Sequence, residues 1–313
     1  MKRGRMKVRL IVLWGMFLLS FVLNGCKSNG TLNSKGIPDK IIVGEFGGEN
    51  PANTREVLEP VCKAMEQELG IPVQLYLSTD YAAIIEAIHA KKIHIAYLGG
   101  FSYILAAQHK DIDPIAILGQ NGKEFAYHSN IFVKSNSGLN SMADVKARAK
   151  DLTFCFTDPA STSGHLVPRG YLVSIGLDPL TSFKQTLFAG SHAASILTVA
   201  AGKVDVGCAT DDYGIDMQVK KGLIKKGELK VLWVSDPIVG SPIVVRKDIN
   251  PAFTEKIKQF YFNLSKKHPE IFDNYLRFLY VNAPRGLCYI PAQDSMFNGV
   301  RKLAANIRDL KTN

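Results

Sequence analysis

The sequence is short of the residues that build metal centres, disulfide frameworks and hydrolytic sites. Five cysteines among 313 residues include no CxxC pair, which argues against a zinc ribbon or a disulfide scaffold. Seven histidines form no HExxH, and His89 and His94, five apart, do not share a helix face. No metal and no other cofactor is therefore expected. A GxSxG elbow is missing, as is any block of lysines or arginines that would mark a nucleic-acid partner. The longest largely apolar run, Leu10 to Leu23, falls short of the ~20 residues that span a bilayer as a helix.

What is present begins with an address. Lys2, Arg3, Arg5, Lys7 and Arg9 precede that apolar run with no acid among them, the layout of a secretory signal. The run ends in Leu23-Asn24-Gly25-Cys26, which resembles the lipobox of bacterial lipoproteins. Residues 1–25 are expected to be removed and Cys26 lipidated, tethering an extracytoplasmic body to a membrane surface. A signal peptide cut nearby, with an incidental cysteine, is the alternative. Removing five cations lowers the formal charge from +10 to +5. Residues 26–38, rich in Gly, Ser and Asn, read as a flexible tether. Of the remaining cysteines, Cys155 and Cys208 lie in apolar runs and fit buried thiols as well as disulfides.

From Ile41 onward short apolar runs alternate with helical patterns, which predicts α/β layers around mostly parallel sheets. The length favours two lobes. A weak internal repeat supports this. The segment from Asp80 (DYAAIIEAIHAKKIHIAYLG) matches that from Ser191 (SHAASILTVAAGKVDVGCAT) at an offset of 111 residues, each a helix start, an amphipathic helix, a lysine turn and a buried strand. Tyr81 and His192 would then sit at equivalent helix N-termini in facing lobes. Asn130–Lys134 and Gly240–Arg246 read as the two crossings between lobes. Helices are expected from Asn250-Pro251 and from Asp294.

One segment reads as an anion site. Leu152–Phe156 is a β-prone run, Asp158-Pro159 ends it, and Ser161, Thr162, Ser163 and Gly164 precede the apolar positions of a helix. Backbone N–H groups at a helix start, joined by hydroxyls, hold an oxyanion without a lysine or arginine. An ordinary N-cap explains the same serines.

Together DYAAIIEA at Asp80, DPASTSGHLVP at Asp158, AGSHAASILTVAAGKVDVG at Ala189 and GSPIVVRKD at Gly240 resemble the periplasmic substrate-binding proteins of phosphonate/phosphite ABC transporters, over nearly all of residues 40–300. The resemblance implies a two-lobed periplasmic-binding-protein fold of type II hinged on two crossing strands. Residues 39–130 and 241–313 would form one lobe and 131–240 the other. It implies a monomeric, lipid-anchored receptor that delivers a phosphonate or phosphite to a membrane permease. The ligand residues it implies are Tyr81, Tyr127, Ser161, Thr162, Ser163, His192 (a donor that favours an anion when protonated) and Asp212, with Asp211 the alternative acid. Members that take aminoalkyl phosphonates carry a second carboxylate on the returning strand; Ser241 stands there, which puts such a ligand in doubt. Two other readings remain: a ligand sensor for a signalling partner, and a hydrolase built on Ser161 or Ser163 with His192 and Asp212.

Overall fold

The computed structural model describes residues 31–48, 50–211 and 214–307. Cys26 and Asp212 lie outside that set, so the proposed lipid anchor and one proposed site acid are not described. Along the chain, β1 (Ile41–Phe46), α1 (Pro51–Leu69), β2 (Val73–Ser78), α2 (Tyr81–His89) and β3 (Ile95–Tyr97) follow one another. Then come α3 (Gly100–Ala106), β4 (Ile112–Gln120), β5 (Lys123–Glu124), β6 (Ala126–Tyr127) and β7 (Ser129–Lys134). A second series runs α4 (Met142–Arg148), β8 (Thr153–Phe156), α5 (Val167–Ser174), β9 (Gln185–Phe188), α6 (His192–Ala200), β10 (Val206–Thr210) and α7 (Ile215–Lys220). The chain returns through β11 (Leu229–Val234), β12 (Ile238–Val239), β13 (Pro242–Arg246), α8 (Pro251–Lys267), α9 (Pro269–Leu279), β14 (Leu287–Pro291) and α10 (Asn298–Ala305).

These strands form two main sheets. One has the order β14-β4-β13-β3-β1-β2, with β5 beside β4; the other runs β11-β7-β10-β8-β9. Both are mixed rather than mostly parallel. β1 pairs in parallel with β2 and β3, as β8 does with β9 and β10. β13 and β7 add antiparallel to β3 and β10. The reason is connectivity: these strands enter from the other sheet instead of following a right-handed crossover. β4-β13-β3-β1-β2 and β11-β7-β10-β8-β9 thus share one pattern of neighbours and directions.

The repeat is realised at its helix starts. Asp80 accepts from Ala83 N–H at 2.7 Å and caps α2. Ser191 accepts from Ala194 N–H at 3.1 Å and caps α6. Ile88 and Val199, equivalent in the repeat, are both fully buried. Helix α8 begins after Asn250, whose side chain accepts from Ala252 and Phe253 N–H.

Two apolar clusters sandwich the larger sheet. Met65, Ile257, Phe260 and Phe272, from α1, α8 and α9, cover one face; Ile84, Ile88, Phe101 and Phe297 cover the other. The smaller sheet is likewise covered on both faces. Asn130–Lys134 and Gly240–Arg246 are not themselves the crossings. The first lies within β7, and the second runs from the end of the ribbon at Gly240 into β13, each strand belonging to a main sheet. The connection just before each is a short antiparallel ribbon, with Tyr127 opposite Ile238 and Ala126 opposite Val239. Among the described residues the cysteines are unpaired thiols, with Cys62, Cys155 and Cys208 buried.

Candidate functional site

Ligands of α/β sheets bind beyond the carboxyl ends of the strands, and here those ends of both sheets meet. Tyr97 closes β3 and Thr210 closes β10, and both line one cavity. Around it the structure brings together Tyr81, Tyr127, Ser161, Thr162, Ser163 and His192.

The serine segment has an unusual shape. Ser161 accepts from Gly164 N–H at 3.0 Å as an N-cap. The next turn is wide, with Leu166 N–H bonded to the Ser161 carbonyl five residues back at 3.1 Å. Such single π-type turns recur at functional sites. The Thr162 and Ser163 N–H groups precede the first of these bonds, so the turn itself offers them no acceptor. The whole segment is buried: Ser161, Thr162 and Ser163 are each at most 3 % exposed. Gly164 is required by space. A Cβ there would lie 1.8 Å from Thr157 Oγ1.

This segment also reaches the other lobe. The Phe101 N–H, in the first turn of α3, donates to Thr162 Oγ1 at 2.8 Å. The Asp158 carboxylate accepts from Ala160 N–H at 2.7 Å and lies near the backbone N–H of Tyr81, at the start of α2. Burial nonetheless holds the Asp158 carboxyl above the usual carboxylate range. The Ser129 hydroxyl donates to the Ser163 carbonyl at 2.6 Å, tying the turn to β7.

The donors facing the cavity are neutral. Tyr81 stacks on Phe46 with centroids 4.4 Å apart. Burial, reinforced by Tyr97, Tyr127, Asp158 and Glu45, raises its phenol well above the ordinary value, so it stays a protonated donor. Tyr97 is raised chiefly by burial, which the neighbouring Ser241 partly offsets. The Nδ1 of His192 accepts from Thr210 N–H at 3.0 Å. That bond fixes the ring as the neutral Nε2–H tautomer. Its Nε2–H can therefore donate without a further proton. Among the described residues the lining holds no Lys, Arg, Asp or Glu.

Of the two acids expected near the site, Asp211 is the one described: it accepts from the His128 N–H at 2.7 Å and pairs with its Nδ1 at 2.9 Å. It pins the residue after β6 to the loop after β10. A serine–histidine–acid triad does not fit this geometry, because His192 Nδ1 meets the Thr210 amide rather than an orienting carboxylate.

Sequence reasoning missed Tyr97 and Thr210 as lining residues. Thr210 had a signal: it is equivalent to Gly99 at the same offset of 111, and both line the cavity. Leu118, Phe125, Leu279 and Tyr280 supply an apolar wall, with Phe125 edge-on to Tyr280 at 5.6 Å.

Two lobes closing on a cavity of neutral donors define a solute-binding protein. Comparison with known proteins makes the class specific. Residues 43–282 match the family described as ABC transporter, phosphonate, periplasmic substrate-binding protein. The chain is 34% identical over 227 residues to the phosphonates-binding periplasmic protein of Escherichia coli, covering 72% of this chain and 67% of that one. It is 27% identical over 253 residues to the phosphate-import protein PhnD of Mycolicibacterium smegmatis, covering 78% of each. A solved binding component of an ABC phosphonate transporter from Pseudomonas aeruginosa superposes with a TM-score of 0.74 at 29% identity, over 84% of this chain and 85% of that one.

The chain belongs to the ABC transporter phosphonate periplasmic substrate-binding protein family. It is a substrate-binding component rather than an enzyme, and it works outside the cytoplasm.

Proposed function

We propose that the chain is a lipid-anchored receptor that captures a small phosphonate-class oxyanion between its lobes and hands it to a membrane permease. Residues 39–130 with 241–313 would move against 131–240 about the β6/β12 ribbon, the ligand favouring the closed form. The observation that carries this reading is the cavity itself. Tyr81 and Tyr97 from one side face Ser161, Thr162, Ser163, His192 and Thr210 from the other. Many preorganised neutral donors suit an oxyanion without a salt bridge. The apolar wall at Leu118, Phe125 and Leu279 suits a short alkyl substituent on phosphorus, and Ser241 offers no charge to an ammonium. Methylphosphonate and phosphite are the favoured ligands.

Titration calorimetry of the purified protein tests this with phosphite, methylphosphonate, aminoethylphosphonate, phosphate and sulfate. Methylphosphonate or phosphite should bind one per chain without turnover, and aminoethylphosphonate more weakly. Release of product from a phosphonate, or preference for sulfate, would overturn the reading. The anchor has its own test: Cys26→Ser should release the protein from the membrane fraction.

A further inference from the structure

At the opposite end of α2 from the cleft, the fold brings His89 to two groups that follow it by about twenty residues. His89 ends α2, His109 lies in the short turn after α3, and Asp111 immediately precedes β4. His89 Nδ1 meets Asp111 Oδ2 at 2.9 Å. The His109 ring stacks on His89, centroids 3.8 Å apart and planes 16° from parallel. One nitrogen or oxygen from each of the three lies within 4.8 Å of the others.

Hydrogen bonding leaves this cluster incomplete. The His89 side chain is only 9% exposed, and its Nε2 has no partner. Asp111 Oδ1 is also buried and without one. The nearby Lys91 ammonium does not serve it, because it pairs with Asp248 at 3.0 Å. A tetrahedral zinc with ligand bonds near 2.1 Å needs ligand atoms about 3.4 Å apart. The His89 Nδ1–Asp111 Oδ2 pair, at 2.9 Å, would open by about half an ångström as the ion replaced the proton between them. His109, exposed and stacked on His89, needs a shift of no more than about 1.5 Å to complete a His2Asp face with water in the fourth position.

We propose that His89, His109 and Asp111 bind a divalent late transition metal, for which Zn2+ is the probe, and that the ion ties the end of α2 to the turn before β4. This revises the expectation of no metal and does not depend on which anion the cleft takes. Neutral imidazole with one carboxylate is a donor set that such ions prefer over Mg2+ or Ca2+.

The test uses the full-length, untagged protein in mild detergent, stripped with a chelator and free of phosphate and phosphonate. Zn2+ is titrated against a chromophoric competitor. One ion per chain should bind with a Kd below about 10 µM and raise the melting temperature. His109→Ala, at an exposed position, should weaken binding at least about tenfold while leaving methylphosphonate affinity unchanged. Asp111→Asn should weaken metal binding as well. Absence of binding at about 100 µM Zn2+, or wild-type affinity in both variants, would overturn the proposal.

Discussion

Gly164→Ala gives the most direct test of how the anion segment is built. The new Cβ would lie 1.8 Å from Thr157 Oγ1, 2.6 Å from its Cγ2 and 2.7 Å from its Cβ. Thr157 cannot easily retreat. It is 1 % exposed, and its N–H donates to the Gly164 carbonyl at 2.9 Å. Overpacking of a rigid site costs typically 1–3 kcal/mol, and contacts this close on a braced backbone belong at about 3 kcal/mol. The loss falls either on stability or, if the turn shifts instead, on affinity, where it corresponds to more than a hundredfold. Urea denaturation and calorimetry with methylphosphonate, run in parallel, apportion it. Thr157→Gly in the same chain removes all three contacts. The double variant should recover most of the loss, less the roughly 0.5–1 kcal/mol that a new glycine costs. Wild-type stability and affinity in Gly164→Ala, or additive effects in the double-mutant cycle, would refute the steric argument.

Three further expectations concern the same region. Ser161→Ala with Thr162→Val should weaken the proposed anion binding well over tenfold in calorimetry, since each charge-assisted hydrogen bond lost costs ~1.5–3 kcal/mol; part of the loss is the acceptor for Phe101 N–H. Ser241→Asp should shift the affinity ratio toward aminoethylphosphonate over methylphosphonate by at least about tenfold, if an acid there receives an ammonium. His165, boxed in by Phe101, Phe156 and Phe188, has its pKa pushed down from 6.5 to about 4, chiefly by burial. Between those values the unfolded chain holds a proton that the folded site refuses, so stability falls as pH drops through that window. The full loss is about 3 kcal/mol. Denaturation of His165→Gln from pH 7.5 to pH 4 should show a shallower fall than wild type; an unchanged slope would count against it.

The parts of the fold that could be read in the sequence are those carried by neighbouring residues. Asp80 and Ser191 each cap a helix whose apolar spacing is visible over three turns, so the repeat appeared before its geometry did. The Ser161–Gly164 cluster was legible for the same reason. Strand direction was not, because an apolar run such as Ile243–Val245 looks the same whether it enters a sheet parallel or antiparallel. The crossings were placed a few residues inside the sheets because the ribbon strands are only two residues long and carry no period. Tyr97 and Thr210 were hidden as the last residues of apolar strands. The His89 cluster was hidden by distance along the chain: its partners follow about twenty residues later, with α3 between.

The shared five-strand pattern has an electrostatic consequence. A unit used twice and turned to face itself presents the same pole from both sides. Helices α2 and α6 begin at the cleft, and helix beginnings carry partial positive charge. Like poles brought together push apart, and bulk water relieves that repulsion only while the mouth is open. Asp158, beside the Tyr81 N–H, offsets one of these poles with the chain's own carboxylate. The rest of the uncompensated charge would fall to an anion, which thus acts as the missing counter-charge of a spring the fold has already loaded.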